Sequence, residues 1–418
     1  MQAIIATVLD AALFIGLAWA LWRLLGRSFP IAVVPIVIGM TLAYTGWVPA
    51  SWGVPSAWGQ GIGWVGVLLL AFTAGLETRH LPAAQEAPAE APADRPATPP
   101  LRLLASAALA LLLPFAAGAW VAFDVLSLRP EWAAPNGQRL AGALGVGLCI
   151  AVSALPVLIG IVRELGPQHR RLTHVALRLA VIDDGVLWIG LALLLLYAKG
   201  QGGFGWSGLH AAALAIPLAM LALGPWLARR PPPALAVWLL LPLWLAAGAW
   251  ASSTLGLHEL LGAYFAGAMV PPSWLRRFPV DRIGTFALIG LAPLFFGHSG
   301  MKIDGDVLGW QSLQAASALL VLAIVAKLAA VLLLPPVRGF DRRERLAVGA
   351  LLQCKGLMEI VAATILRDAG LLSEFAFATL VTLAVLSTLL TGPAFKLLVR
   401  RRALSVTTRD PQLGRSRT

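Results

Sequence analysis

The chain has 418 residues, of which 59% are hydrophobic and only 12% charged, and apolar runs recur from end to end. Soluble domains carry about 25% charged residues, so this composition excludes a soluble enzyme and indicates an all-α, polytopic membrane protein. The formal net charge of +12 is scattered between the apolar runs, which points to membrane topology and away from nucleic acid.

About thirteen runs are close to the roughly 20 residues that a helix needs to cross a bilayer. The first, about 3–25, has no basic residues ahead of it, unlike a cleaved signal. It is followed by runs at 31–48 and 59–79; in the latter Gly59, Gly63 and Gly66 are spaced for close helix contact. Residues 81–100, built from Ala, Pro and Glu, read as a flexible cytoplasmic linker. Runs at 101–123 and 138–162 come next, and the second of these holds Ser153 and Pro156 at mid-membrane depth. Proline removes a backbone donor and disfavours helix at the residue before it, so a broken helix is expected there.

The run at 174–198 carries Asp183 and Asp184 near its middle. Each costs about 2.5–3.5 kcal/mol at that depth on insertion scales. Adjacent helical residues lie about 100° apart, so the two carboxylates face different neighbours. Such a pair reads as an ion or proton site. Runs at 207–228, 233–252, 255–271 and 280–300 are mostly apolar; His258 and Glu259 lie near a run start, where the outer interface hydrates them, and His298, near the outer end of its run with no second histidine at ligand spacing, does not indicate a metal site. The run at 312–335 has Lys327 at its centre, too deep to snorkel, and a Lys327–Asp183 ion pair is the expectation. In the run at 345–366, Lys355, Gly356 and Glu359 interrupt the apolar pattern. This second interrupted segment crosses in the opposite direction to the first, as the halves of an inverted repeat do, and points to a binding site between them. The last run is 373–399. The transmembrane unit thus spans 1–400, and 401–418 reads as a short basic tail with no soluble domain after it.

Basic residues crowd the segments that follow odd-numbered runs and the tail, which places the N-terminus outside and the C-terminus in the cytoplasm of a cell, or inner, membrane. Cys149 and Cys354 lie within apolar runs and read as buried thiols. No nucleophile–base pair, phosphate loop or histidine–cysteine metal set is present, so an enzyme is not expected and no resident cofactor is implied.

Six phrases in order carry a family resemblance: Leu70-Ala-Phe-Thr-Ala-Gly-Leu-Glu77, Ser153-Ala-Leu-Pro-Val-Leu158, Ala180-Val-Ile-Asp-Asp184, Gly256-Leu-His-Glu-Leu-Leu-Gly-Ala-Tyr-Phe-Ala-Gly267, Pro293-Leu-Phe-Phe-Gly-His-Ser-Gly-Met-Lys-Ile-Asp304 and Lys355-Gly-Leu-Met-Glu359. Over nearly its whole length the chain resembles the monovalent cation:proton antiporter-2 family. The resemblance implies a sodium–proton-antiporter fold, in which a core with two crossing broken helices moves against a dimerisation domain. It also implies a homodimer exchanging sodium or potassium for protons, with Asp184 alternately protonated and cation-bound. Asp183 and Lys327 match a pair seen in some members, while Ser153 and backbone carbonyls of the break would complete an oxygen shell. Pro156, Lys355, Gly356 and Glu359 would support the broken helices. Ser153-Ala154 and Arg178 depart from the family pattern, the latter at the expected cytoplasmic mouth. A cation channel or an organic-solute symporter of similar fold would use related parts; two central carboxylates argue against an anionic substrate.

Overall fold

Lipid offers no partners for backbone N–H and C=O groups, so a spanning chain satisfies them within helices. In a computed structural model, which describes residues 2–24, 31, 33–84, 100–165, 169–199, 208–229, 232–275, 278–303 and 305–407, every regular element is a helix. Helices α1 (Gln2–Ala11) and α2 (Ala18–Leu24) are joined by a π-helical stretch, Ala12–Leu17. Next are α3 (Val33–Thr45), α4 (Ala57–Ala84), α5 (Pro100–Asp124), α6 (Arg139–Ala151), α7 (Leu155–Leu165) and α8 (Arg170–Lys199). Then come α9 (Gly208–Arg229), α10 (Ala234–Thr254), α11 (Glu259–Met269), the short α12 (Pro272–Leu275) and α13 (Val280–Phe286). A second π-helical stretch, Ala287–Leu291, leads into α14 (Ala292–Met301). The series ends with α15 (Trp310–Leu333), α16 (Arg342–Leu351), α17 (Leu357–Asp368) and α18 (Glu374–Thr407).

Among the described residues, nine helices are long and apolar enough to cross a membrane, and Val33–Thr45 and Arg139–Ala151 are shorter apolar helices. The runs at 138–162 and 345–366 are not continuous helices: each is split into two, α6 with α7 and α16 with α17. Helix also enters both ends of the expected 81–100 linker, since α4 runs to Ala84 and α5 starts at Pro100; residues 85–99 lie outside the described residues. The start of the 401–418 tail continues α18 to Thr407, and the remainder lies outside the described residues.

The helices sort into two groups by what they pack against. In one, α11 packs on α4 and α10, α14 packs on α3 and α4, and α1 joins α4. In the other, α5, α6, α8 and α15–α18 surround the two breaks. Helix α8 meets the first group through α4 and α11. The glycine spacing on α4 does what its sequence suggests. A Cβ at Gly63 would fall 2.5 Å from the backbone nitrogen of Phe295, and one at Gly66 2.5 Å from that of Ala292, so only glycine lets α4 and α14 lie this close.

Candidate functional site

Helix α6 stops at Ala151 because Val152 turns extended, at φ −78° and ψ 150°. The chain resumes as helix at Leu155, so Pro156 falls in the first turn of α7, where its missing N–H has no intrahelical acceptor to lose. The break therefore lies before Leu155, the residue preceding the proline, and Leu155 is itself helical. The second break runs from Leu352 to Gly356. The two extended segments cross, and the Ala154 N–H donates to the Cys354 carbonyl at 2.8 Å. A Cβ at Gly356 would lie 2.5 Å from Val157 Cγ2, which is why glycine occupies that side of the crossing.

Helices α6 and α16 each end at the crossing in carbonyls with no partner in their own helix and about half a negative charge. Two buried lysines answer these ends. Lys327 Nζ, from α15, lies 2.6 Å from the Ala151 carbonyl and 3.2 Å from that of Leu352, joining the ends of α6 and α16. It also donates to Ser153 Oγ at 2.5 Å and reaches Asp183 Oδ2 at 3.1 Å. Lys355 Nζ contacts three carbonyls at the end of α6, those of Ile150 at 2.5 Å, Cys149 at 2.9 Å and Val152 at 3.1 Å. Glu359 Oε2 stands 3.9 Å from the same ammonium. Ser153 Oγ lies 2.6 Å from Asp183 Oδ2 and 2.7 Å from the Leu352 carbonyl, with one proton to donate to either. On α18, Ser387 donates to the Gln353 carbonyl and Thr388 to that of Lys355.

The structure thus brings Asp183, Ser153 and Lys327 into one network, with Lys355, Gly356 and Glu359 around the second break. Asp183 and Asp184 are both fully buried and both on α8, yet they face different surroundings. Asp183 faces the crossing. Asp184 shares a helix face with Trp188, one turn on, and the Trp188 ring stacks on Tyr264 of α11 with centroids 5.3 Å apart. Asp184 therefore lies on the side of α8 that meets the first helix group. Ser153 sits with Asp183 and Lys327. Arg178 is exposed on α8.

Sequence reasoning missed Ser387, Thr388 and Asp10. Asp10 is fully buried; Ser56 N donates to its Oδ2 at 2.7 Å, and His298 Nε2 approaches Oδ1 at 3.1 Å. His298, near the end of its run in sequence, is buried with its ring edge-on to Phe14. Only the acidic residue inside the first run could have signalled the site. His258 and Glu259 are partly buried, as a run end suggests, with Glu259 accepting from Trp64 Nε1 at 3.1 Å. Cys149 and Cys354 are buried free thiols.

Two crossed, broken helices held by buried lysines, beside paired aspartates, are the features that set this site apart. The chain belongs to the transmembrane sodium/hydrogen exchanger family, whose profile matches residues 11–401. Cation/H(+) antiporter 20 of Arabidopsis thaliana is 26% identical over 380 residues, covering 86% of this chain and 43% of that protein. The Na(+)/H(+)-K(+) antiporter GerN of Bacillus cereus is 27% identical over 380 residues, covering 87% of each. The fold matches that of the sodium proton antiporter MjNhaP1 from Methanocaldococcus jannaschii with a TM-score of 0.60 at 12% identity, over 99% of this chain and 100% of that one. The chain spans less than half the length of the plant relatives it matches.

Proposed function

We propose that the protein exchanges a monovalent cation, sodium or potassium, for protons across a cell membrane, and that Asp184 carries the two in turn. The observation behind this reading is the division between the two aspartates. Lys327 and Ser153 hold Asp183 at the crossing, whereas Asp184 is on the face directed at the other helix group. A carboxylate there binds a proton or a cation, and either one cancels its charge; an empty, charged Asp184 is costly to carry through an apolar contact. That cost couples the two fluxes. Ser153 in this reading fixes Asp183 and Lys327, and is not itself a cation ligand. Lys355, Glu359 and Pro156 shape the breaks. We further propose an N-terminus outside and a C-terminus in the cytoplasm, from the basic residues that follow odd-numbered runs, and a homodimer, from the family resemblance alone. No enzymatic step and no cofactor enter this reading.

The test is reconstitution in vesicles with an internal pH dye and an imposed proton gradient. Adding sodium or potassium should move protons, and Asp184→Asn should abolish that movement while the folded protein is retained. Proton movement that is insensitive to both cations would overturn exchange.

A further inference from the structure

The contact between the two helix groups carries a second element besides Asp184. On the Asp184 face of α8, toward Lys199, the next residues are Trp188, Leu191 and Leu195, all buried. None offers a charge or an oxygen to a cation. The first of them, Trp188, lies against Tyr264, with the rings inclined by only 22°. The two rings come from opposite groups.

Tyr264 is firmly seated in its group. A Cβ at Gly75 of α4 would collide with the Tyr264 carbonyl, and one at Gly267 of α11 with the Phe72 carbonyl, so these backbones touch directly. On the other flank of α11, a Cβ at Gly248 would fall 2.7 Å from the Gly262 carbonyl. Helix α11 is therefore packed backbone to backbone against both α4 and α10, which leaves Tyr264 little freedom to move with α8. Trp188 is held differently. It is fully buried, yet its Nε1 has no hydrogen-bond partner among the described residues. Such an orphan donor is costly where it lies, and water entering between the rings would satisfy it.

We propose that Trp188 and Tyr264 form a gate that closes Asp184 off from the Lys199 side of the membrane, and that passage of the cation requires the two rings to part. The stack seals one side by apolar contact, and the unpaired indole N–H makes the opened, hydrated arrangement accessible. The passage clause rests on the exchange reading of Asp184; the seal itself does not.

Accessibility tests the seal without transport. In a Cys149→Ala, Cys354→Ala background, Gly185→Cys places a thiol beside Asp184, where a Cβ sits 3.7 Å from the Tyr264 hydroxyl in ordinary contact. A membrane-impermeant methanethiosulfonate applied from the Lys199 side should label it slowly. Tyr264→Ala should raise that rate at least tenfold and let protons leak without added cation, whereas Tyr264→Phe, which keeps the ring, should do neither. As a second measurement, Trp188→Cys with Tyr264→Cys should leak protons as Tyr264→Ala does, and a short bis-methanethiosulfonate bridge should close that leak reversibly, with return of the leak on reduction. Labelling of Tyr264→Ala at the parent rate, or a leak that persists when the bridge is closed, would overturn the gate. If the parent exchanges nothing while Tyr264→Ala still opens the site to label, the exchange reading fails and the seal stands.

Discussion

Asp183 and Asp10 are both carboxylates buried among apolar helices, yet they are held in different ways. Asp10 is held locally: a backbone N–H from Ser56 and the His298 ring meet its two oxygens, all within the first helix group. Asp183 shares its lysine with the backbone. The same ammonium that neutralises it also serves the carbonyl ends of α6 and α16. A pair like Asp10–His298 binds two elements together. The Lys327 arrangement makes a broken helix possible in the first place, because it replaces partners that the break removes. An intramembrane charge in this protein is therefore informative according to how much orphaned backbone it also satisfies.

That comparison is broken most severely at Lys327. Lys327→Met leaves a buried carboxylate and the end of α16 without a cation, and the end of α6 with Lys355 alone, and should cost about 3–5 kcal/mol, read as a large fall in the thermal unfolding midpoint in detergent. Adding Asp183→Asn should recover only part of that loss, since the Ala151 and Leu352 carbonyls still lack the ammonium; full recovery would mean that the carbonyl contacts contribute nothing. Lys355→Met, which uncaps α6 but spares Asp183, should cost about 2–3 kcal/mol, the scale of hydrogen bonds to a charged donor. The same melt measures it, and a midpoint at the parent value would remove the capping role.

Asp10→Asn tests the local arrangement. It keeps an acceptor for Ser56 N but weakens the contact to His298, and should cost about 1–2 kcal/mol while cation-dependent proton flux stays at the parent level. A lost flux with a parent-like melt would move Asp10 into the transport machinery. The smallest effect is expected from Ser387→Ala, about 1 kcal/mol, because only one carbonyl of the second break, that of Gln353, loses its donor.

The parts of this arrangement legible in sequence are those that the bilayer makes costly. Asp183, Asp184, Lys327 and the Lys355–Glu359 segment stand out because charges at that depth need a reason. The interruption at residues 152–156 stands out because proline and helix conflict. What sequence did not reveal is reach. Nothing in the run around Lys355 indicates that its ammonium caps α6, a different helix, and nothing marks Ser387 and Thr388 as donors to the second break. Pro156 located the first break to within a turn, but a proline is also well accommodated in a first turn, so the helix resumes one residue ahead of it. Asp10 lies close enough to the start of its run to pass as interfacial, and His298, its partner, belongs to a distant segment. The Ser153 hydroxyl, free in sequence to meet a cation, is drawn to the nearest charged groups.

Under the proposed exchange, Asp184, and not Asp183, binds the transported cation in competition with a proton. The most direct measurement is cation affinity by calorimetry for the parent, Asp184→Asn and Asp183→Asn across a pH series. Exchange at Asp184 predicts that parent cation affinity falls about tenfold for each unit by which the pH is lowered while protons compete for the site, since one proton displaces one cation (about 1.4 kcal/mol). It also predicts that Asp184→Asn binds no cation at any pH, while a folded Asp183→Asn still does. Binding that survives in Asp184→Asn with its pH dependence intact, or that disappears only in Asp183→Asn, would contradict it.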